Sequence, residues 1–255
     1  MIQNQIMSDG EDMKSTNAEF YNNRMSLLDL MKNSPIPDGE LINHIALFLD
    51  RRVLSRFFFI QEMYEKFLDI HGSIFEFGVR YGQNLSLFTS LRGIYEPFNY
   101  NRKIVGFDTF EGFPDVDSKD DNTRWKKGDY SVPENYEAYL DVVLKKHESM
   151  APIEGIKKFE LVKGDATKTV KEYLKNHQET IIAFAYFDFD IYAPTKECLE
   201  AIVPHLSKGA VLGFDEINDP LWPGETAALR EVLGTNNFKI VHSKFRANAG
   251  YLIYG

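Results

Sequence analysis

The sequence predicts an α/β fold: a mostly parallel, doubly wound sheet behind a helical N-terminal region, finished by an antiparallel pair of strands. Three observations carry this. The first third of the chain spaces its apolar residues at helical intervals. From Ser73 onward, short apolar runs alternate with amphipathic helical segments, the pattern of successive βα units. The last two apolar runs are joined through "RANA", which is too short for a crossover helix and suits a hairpin.

Taken in order, "AEFYNNRMSLLDLMKN" and "PDGELINHIALFLD" read as the first two helices, separated by Pro35 and Pro37. A third, "RRVLSRFFFIQEMYEKFLDI", runs to His71-Gly72, where glycine can serve as a C-terminal cap. "SIFEFG" is strand one, "QNLSLFTSLRGIY" its helix, and "KIVGFD" strand two. A long insertion follows, Glu111 to Glu154, with turn-rich "DVDSKDDNTRWKKGD" and helical "PENYEAYLDVVLKKHE". An insertion of this length beside a site is expected to be a lid, mobile until substrate orders it. "FELVKGD" and "ATKTVKEYLKNH" are strand three and its helix, and "TIIAFAYFD" and "TKECLEAIVPHLSK" the next pair. "AVLGFDE" is strand five, and "FKIVHSKF" and "AGYLIYG" are the closing strands. The chain thus divides into a helical cap region, residues 1–72, and a core, residues 73–255, with the insertion at about 111–154.

A hydrophobic content of 44%, with 20 Phe and 13 Tyr, allows a sizeable core and pocket walls built from rings. A formal charge of −9 excludes nonspecific binding to nucleic acid, whose phosphates demand basic patches. The sole cysteine, Cys198, excludes an intramolecular disulfide and fits a reducing cytoplasm. Its setting, "PTKECLEAI", reads as the inner face of a helix and so as a buried structural thiol. The polar opening "MIQNQIMSDGEDMKST" lacks a signal-peptide core, and no run is long enough to span a bilayer. A soluble cytoplasmic protein without a membrane partner is expected. Phe57-Phe58-Phe59 either packs into a core or offers a self-association surface, the second option implying a homo-oligomer.

Carboxylates gather at the ends of the strands: Glu76 in strand one, Asp108 closing strand two, Asp165 strand three, Asp188 strand four, and Asp215-Glu216 strand five. In open α/β sheets ligands bind outside the carboxyl ends of the strands, although aspartate there also serves as a helix N-cap. Asp188 and Asp190 interrupt an otherwise aromatic and aliphatic run, "FAYFDFDIYAPT", in which an uncompensated carboxylate would be costly. Alternation places both on one side, but the turn towards Pro194 should carry Asp190 away from Asp188. Gly78 and Gly82, in "EFGVRYG", supply a turn with E-x-G-x-x-x-G spacing, distinct from the dinucleotide-binding G-x-G-x-x-G. They read either as a nucleoside site, with Asp108 accepting from ribose hydroxyls, or as a merely tight turn.

From Leu54 onward the chain resembles class I S-adenosylmethionine-dependent methyltransferases, and within them the macrocin-type sugar O-methyltransferases. The resemblance rests on "FEFGVRYG", "RGIYEP", "IVGFDTFEGFPDV", "LVKGDATKTV", "AYFDFDIYAPT" and "FDEINDPLWPGE". It implies a Rossmann-like seven-stranded fold with an antiparallel last strand. It also implies that S-adenosylmethionine lies against Glu76, Gly78 and Gly82 at its methionine portion, with Ser55 reaching its carboxylate. Asp108, with Thr109 and Phe110 beside it, would meet the ribose, and Asp165 and Ala166 the adenine end. Asp188, Asp215 and Glu216 match a divalent-metal triad, with Asp188 also the catalytic acceptor of a proton. The sequence departs from the macrocin branch in pairing Asp215 with Glu216 where that branch has two aspartates.

A sugar hydroxyl is a poor nucleophile at neutral pH, and a metal held by three carboxylates would answer that need. Oxygen ligands suit Mg²⁺, Mn²⁺ or Fe²⁺ rather than zinc. The implied substrate is a nucleotide-activated deoxyhexose or heptose destined for surface polysaccharide or a glycosylated natural product. Trp125 with Lys126 and Lys127 would close over its diphosphate or simply pack a loop, and Trp222 would shape the acceptor side. His147 reads as a surface residue rather than a lid base, and His205 and His242 as structural. Two other readings stand beside this one: an NAD-dependent oxidoreductase using the same ribose acid, and a non-catalytic nucleoside-binding or scaffolding protein whose acids only cap helices.

Overall fold

The computed structural model describes residues 18–120, 125–153 and 155–255. The acidic N-terminal stretch, residues 121–124 and Glu154 lie outside the described residues. The chain separates into two compact units, Met1–Phe58 and Phe59–Gly255.

The first unit holds α1 (Ala18–Lys32), α2 (Asp38–Leu41) and the start of α3 (Arg51–Lys66). The long second helix expected from the sequence is instead one α turn followed by a 3-10 stretch, Ile42–Phe48. Neither piece buries a residue, and Pro37 at the start provides no side-chain cap, so nothing sustains a regular α-helix there. Within this unit Asp50 caps the start of α3 by accepting from the amides of Arg52 and Val53, and it pairs with Arg24 at 3.0 Å.

The second unit is a seven-stranded sheet between two helical layers. Its strands are β1 (Ser73–Phe77), β2 (Ile104–Asp108), β3 (Phe159–Lys163), β4 (Ile182–Phe187), β5 (Leu206–Phe214), β6 (Val241–His242) and β7 (Gly250–Ile253). They lie in the order β3-β2-β1-β4-β5-β7-β6, parallel except for β7, which runs antiparallel to both neighbours. The intervening helices are α4 (Gln83–Tyr95), α5 (Tyr136–Ser149), α6 (Ala166–Asn176), α7 (Tyr192–Ile202) and α8 (Pro223–Val232). Alternate strand residues face opposite layers. Ile74, Ile104, Phe184 and Val211 pack with Phe59–Phe67, α4 and α5. Phe75, Phe107, Ala185 and Leu212 pack with α6, α7 and α8. Cys198 is fully buried there on α7 as a free thiol, its pKa raised by burial, as its place in the helix pattern led us to expect.

The fold class is the one read from the sequence, with four further differences of detail. α3 ends at Lys66, and Gly72 is not its cap: a Cβ on Gly72 would lie 2.6 Å from the Ala183 amide, so the glycine lets the chain enter the sheet against β4. Asp165 lies beyond β3 and caps α6. β6 is only two residues long. Helix α8, "PGETAALREV", has no counterpart among the expected elements. Of the Phe triplet, Phe59 is buried in the core and Phe58 is exposed. Among the described residues no helix is long and apolar enough to cross a membrane.

Candidate active site

The carboxyl ends of β1, β2, β4 and β5 converge because their registers align. Phe77 lies beside Phe187, and Phe187 beside Phe214. The next residues on β4 and β5 are Asp188 and Asp215, whose amides continue the ladder to the carbonyls of Phe77 (2.8 Å) and Phe187 (3.0 Å). Parallel strands in register therefore deliver two acids side by side. Glu216 follows, and one carboxylate oxygen from each of Asp188, Asp215 and Glu216 lies within 4.8 Å of the others. Asp190 is not one of these three but still acts electrostatically on Glu216, and its backbone is turned into the left-handed region (φ 64°).

The acids are held from several directions. Asp215, 2% exposed, accepts from the Tyr186 hydroxyl and from Arg246, whose Nη2 lies 2.8 Å from Oδ2. Tyr186 reaches it because its cross-strand partner is Gly213, where a Cβ would sit 2.8 Å from the ring. Glu225, fully buried at the start of α8, accepts from the amides of Phe189 (3.1 Å), Asp190 (3.3 Å) and Glu216 (3.1 Å). It thereby ties the loop after β4 to the loop after β5. Burial, reinforced by Asp215, Asp190 and Glu225, pushes the pKa of Glu216 well above the ordinary carboxylate value. One Glu216 oxygen, Oε2, is buried without a hydrogen-bond partner among the described residues. An orphaned buried carboxylate oxygen, within a group of acids that repel one another, fits a hard divalent cation with oxygen ligands.

The nucleoside-side residues lie at the ends of β1 and β2. Asp108 is half-buried, and its two oxygens accept from the backbone amides of Arg80 (2.7 Å) and Phe110 (2.6 Å). Burial raises its pKa, and these amides only partly oppose the effect. A carboxylate oxygen has two acceptor positions, so this arrangement orients Asp108 while leaving it able to receive vicinal hydroxyls. Arg80 and Phe110 both take left-handed backbone, φ 47° and 57°, and such strain gathers at ligand sites. Glu76 is buried on β1 between Gly106 and Tyr186, on the face that packs α4. Thr109 closes the next turn, its hydroxyl donating to the Gly112 carbonyl and accepting from the Glu111 amide.

Both glycines of the turn have internal reasons to lack a side chain. A Cβ on Gly78 (φ 89°) would lie 2.0 Å from the Asp188 carbonyl oxygen, and one on Gly82 (φ 75°) would lie 2.4 Å from Leu140 of α5. Asp165 accepts from the Thr167 hydroxyl (2.6 Å) and amide (3.1 Å) and pairs with Lys168, an N-cap in which Ala166 is the buried first helical residue. The capping alternative thus describes Asp165 but not Asp108, Asp188, Asp215 or Glu216. In the first unit, Ser55 donates back to the Arg52 carbonyl at 2.7 Å.

The described residues from Phe113 to Tyr130, the first part of the insertion, pack against the loops that follow β4 and β5. Phe113, Trp125 and Ile191 form a small core with Val116, Tyr130 and Trp222, and Trp125 stacks on Trp222 at 4.0 Å. Asp120 accepts from the Tyr192 amide (2.9 Å), passing over Gly224, where a Cβ would be 2.4 Å from its oxygen. Lys119 reaches both Tyr192 (2.7 Å) and Glu231 (2.8 Å). Lys126 and Lys127 are exposed. Three residues of this neighbourhood escape sequence reasoning. Pro223 at a helix start with Glu225 in its first turn was a readable sign of α8, but the pairing of Arg246 with Asp215 and the Asp120 bridge had none.

No protein-family model and no curated protein sequence matches the chain. Among solved structures, the crystal structure of CalS11, a calicheamicin methyltransferase, is 43% identical, with 94% of each chain covered and a TM-score of 0.90. The apo structure of CalS11, a TDP-rhamnose 3′-O-methyltransferase of calicheamicin biosynthesis, is 41% identical over 94% of this chain and 96% of that one, with a TM-score of 0.84. The O-methyltransferase NovP shares the fold at 17% identity, a TM-score of 0.61, and 78% and 79% coverage. With identity of 41–43% over 94% of its length, the chain belongs to the class I S-adenosylmethionine-dependent sugar O-methyltransferases.

Proposed function

We propose that this enzyme methylates a hydroxyl of a nucleotide-activated deoxyhexose or heptose, with Asp188, Asp215 and Glu216 holding a divalent ion, Mg²⁺ first and Mn²⁺ or Fe²⁺ as substitutes. The reading is carried by the gathering of those three acids at adjoining strand ends, in a chain similar over nearly its full length to a TDP-rhamnose 3′-O-methyltransferase. Natural-product glycosylation or surface polysaccharide would be the destination of such a sugar.

S-adenosylmethionine supplies the electrophilic methyl group, and a divalent ion would supply stabilisation of the charge that develops as the hydroxyl loses its proton. The chain's own residues do the rest. Asp108, oriented by the Arg80 and Phe110 amides, takes the ribose hydroxyls, with Thr109 beside it. Glu76 and the turn from Gly78 to Gly82 wall the methionine portion, and Asp165 and Ala166 border the adenine end. Asp188 accepts the hydroxyl proton, and Glu225 fixes the two loops that carry Asp188 and Glu216. The aromatic group of Phe113, Trp125, Tyr130 and Trp222 excludes water on the acceptor side.

The test is a mass-resolved assay with S-adenosylmethionine and a panel of TDP-, UDP- and GDP-linked sugars, with and without a chelator. One added methyl on a nucleotide sugar, lost with the chelator and restored by Mg²⁺ or Mn²⁺, is expected. Methylation that ignores the chelator removes the metal from the reading, and methylation only of free sugars removes the nucleotide. S-adenosylhomocysteine at a hundredfold excess over its Kd should also stabilise the fold by about 2.7 kcal/mol. NAD should not.

A further inference from the structure

We propose that Arg246 is a resident counter-cation on Asp215 and competes with a divalent ion for the acidic cluster. The proposal rests on the metal reading above and adds a residue which that reading did not contain. Arg246 grips Asp215 through both guanidinium ends, Nη1 to Oδ1 and Nη2 to Oδ2, the latter at 2.8 Å. Planar two-point pairing of this kind is the strongest form of arginine–carboxylate contact, and a guanidinium stays charged at any pH the protein meets.

The position of Arg246 is built rather than incidental. It lies in the link between β6 and β7, where the Ser243 hydroxyl accepts from the amides of Phe245 (3.1 Å) and Arg246 (3.0 Å). The Ser243 amide donates to the Ala249 carbonyl at 3.0 Å, and the Asn248 carbonyl accepts from the amide of Ile217, two residues past Asp215. Ser243 is fully buried. The backbone of the link is therefore pinned beside β5, while the Arg246 side chain, 17% exposed, borders solvent.

Two cations cannot share Asp215 without mutual repulsion, which is strong where little water screens it. An ion ligated by Asp188, Asp215 and Glu216, whose ligand oxygens lie within 4.8 Å of one another, would sit beside the guanidinium. Metal entry thus has to weaken or displace the Arg246 pairing. Without metal, the same pairing spares the fold an uncompensated buried Asp215. The result is an ion site that is weakened by design and reversible.

The experiment is Mn²⁺ binding, measured by calorimetry on the full chain with S-adenosylhomocysteine present, for the wild type, Arg246→Gln and Arg246→Lys. Arg246→Gln should bind Mn²⁺ at least about tenfold more tightly, a gain of ~1.4 kcal/mol. Arg246→Lys, which keeps the charge but loses the fork, should fall between. Equal or weaker binding by Arg246→Gln, with the wild type binding normally, overturns the competition and leaves the metal reading intact. Binding by the variant alone supports the competition in its strongest form. Binding by neither sinks both. Retention of the melting shift given by S-adenosylhomocysteine certifies the fold; if Arg246→Gln lacks it, Arg246→Lys decides, and binding no tighter than the wild type overturns the proposal.

Discussion

The carbonyl oxygen of Asp188 fills the space in which residue 78 would carry a side chain: a Cβ built on Gly78 lies 2.0 Å from it. The turn after β1 and the acid after β4 are therefore fitted to each other through bare backbone. Gly78 also has φ 89°, which L-residues rarely adopt. Gly78→Ala should cost about 2 kcal/mol or more and move Asp188. Urea unfolding checks the first effect, and a fall in turnover larger than the fall in S-adenosylhomocysteine affinity checks the second. Wild-type stability would show that the turn yields easily.

Asp188 and Asp190 should differ in consequence although they are two residues apart. Asp188 belongs to the triad, whereas Asp190 is turned into left-handed backbone and lies outside it. Asp188→Asn is expected to abolish turnover and metal stimulation while leaving S-adenosylhomocysteine binding close to wild type, because Asp108 lies on a different strand end. Asp190→Asn should retain a metal response. Metal-titrated turnover of the pair separates them, and a wild-type metal response in Asp188→Asn would remove Asp188 from the site.

Glu225 receives three backbone amides on its two oxygens, so an amide in its place would turn an NH₂ group towards at least one of them. Glu225→Gln should cost about 1–3 kcal/mol for the buried donor left unpaired. A positioning role predicts more than that: kcat and Mn²⁺ affinity should drop while the KM for S-adenosylmethionine holds. Loss of stability alone, with normal kinetics in the surviving fold, would reduce Glu225 to a structural residue.

Acid stability should depend on Glu96, remote from the site. Burial raises its pKa, but Arg102 and Tyr64 hydrogen bonds outweigh that and hold it below the ordinary 4.5. A depressed folded pKa means the contribution is present above 4.5 and fades as pH falls through the folded value. Glu96→Gln should therefore unfold more readily than the wild type near neutrality, and the gap should narrow with acidification below pH 4.5. Parallel urea titrations at several pH values measure it.

The Trp125–Trp222 stack, at 4.0 Å, is the strap between the insertion and the loop after β5. Trp222→Ala should speed trypsin cleavage at the exposed Lys126-Lys127 several-fold. In the wild type, cleavage should slow when S-adenosylhomocysteine and a nucleotide sugar are both present. Equal rates in the free and doubly bound forms would deny the insertion any closing motion.

The alternation of apolar runs and amphipathic helices made the sheet legible, and α4 spans Gln83–Tyr95 as its pattern indicated. Asp188 and Asp215 were legible because each directly follows a buried strand, and parallel register brings such positions together. What escaped depends on distance in sequence. The Arg246–Asp215 pairing spans 31 residues and the Tyr192–Asp120 contact 72, and neither leaves a local pattern. Asp165 was open in the sequence to two readings, strand-end acid or helix cap, and its bonds to Thr167 are the local chemistry of the cap.

Leu140 of the insertion helix sits where residue 82 has no side chain, its Cδ1 only 2.4 Å from the position a Cβ would take. Gly82 also begins α4, in the turn beneath the cofactor's expected place. An engineer who grafts this insertion onto a related enzyme to change its acceptor must therefore carry residue 82 along with it. A recipient with alanine there would clash with Leu140 of the incoming helix at the turn that begins α4. The insertion helix and the turn that opens α4 are therefore fitted to each other and must change together.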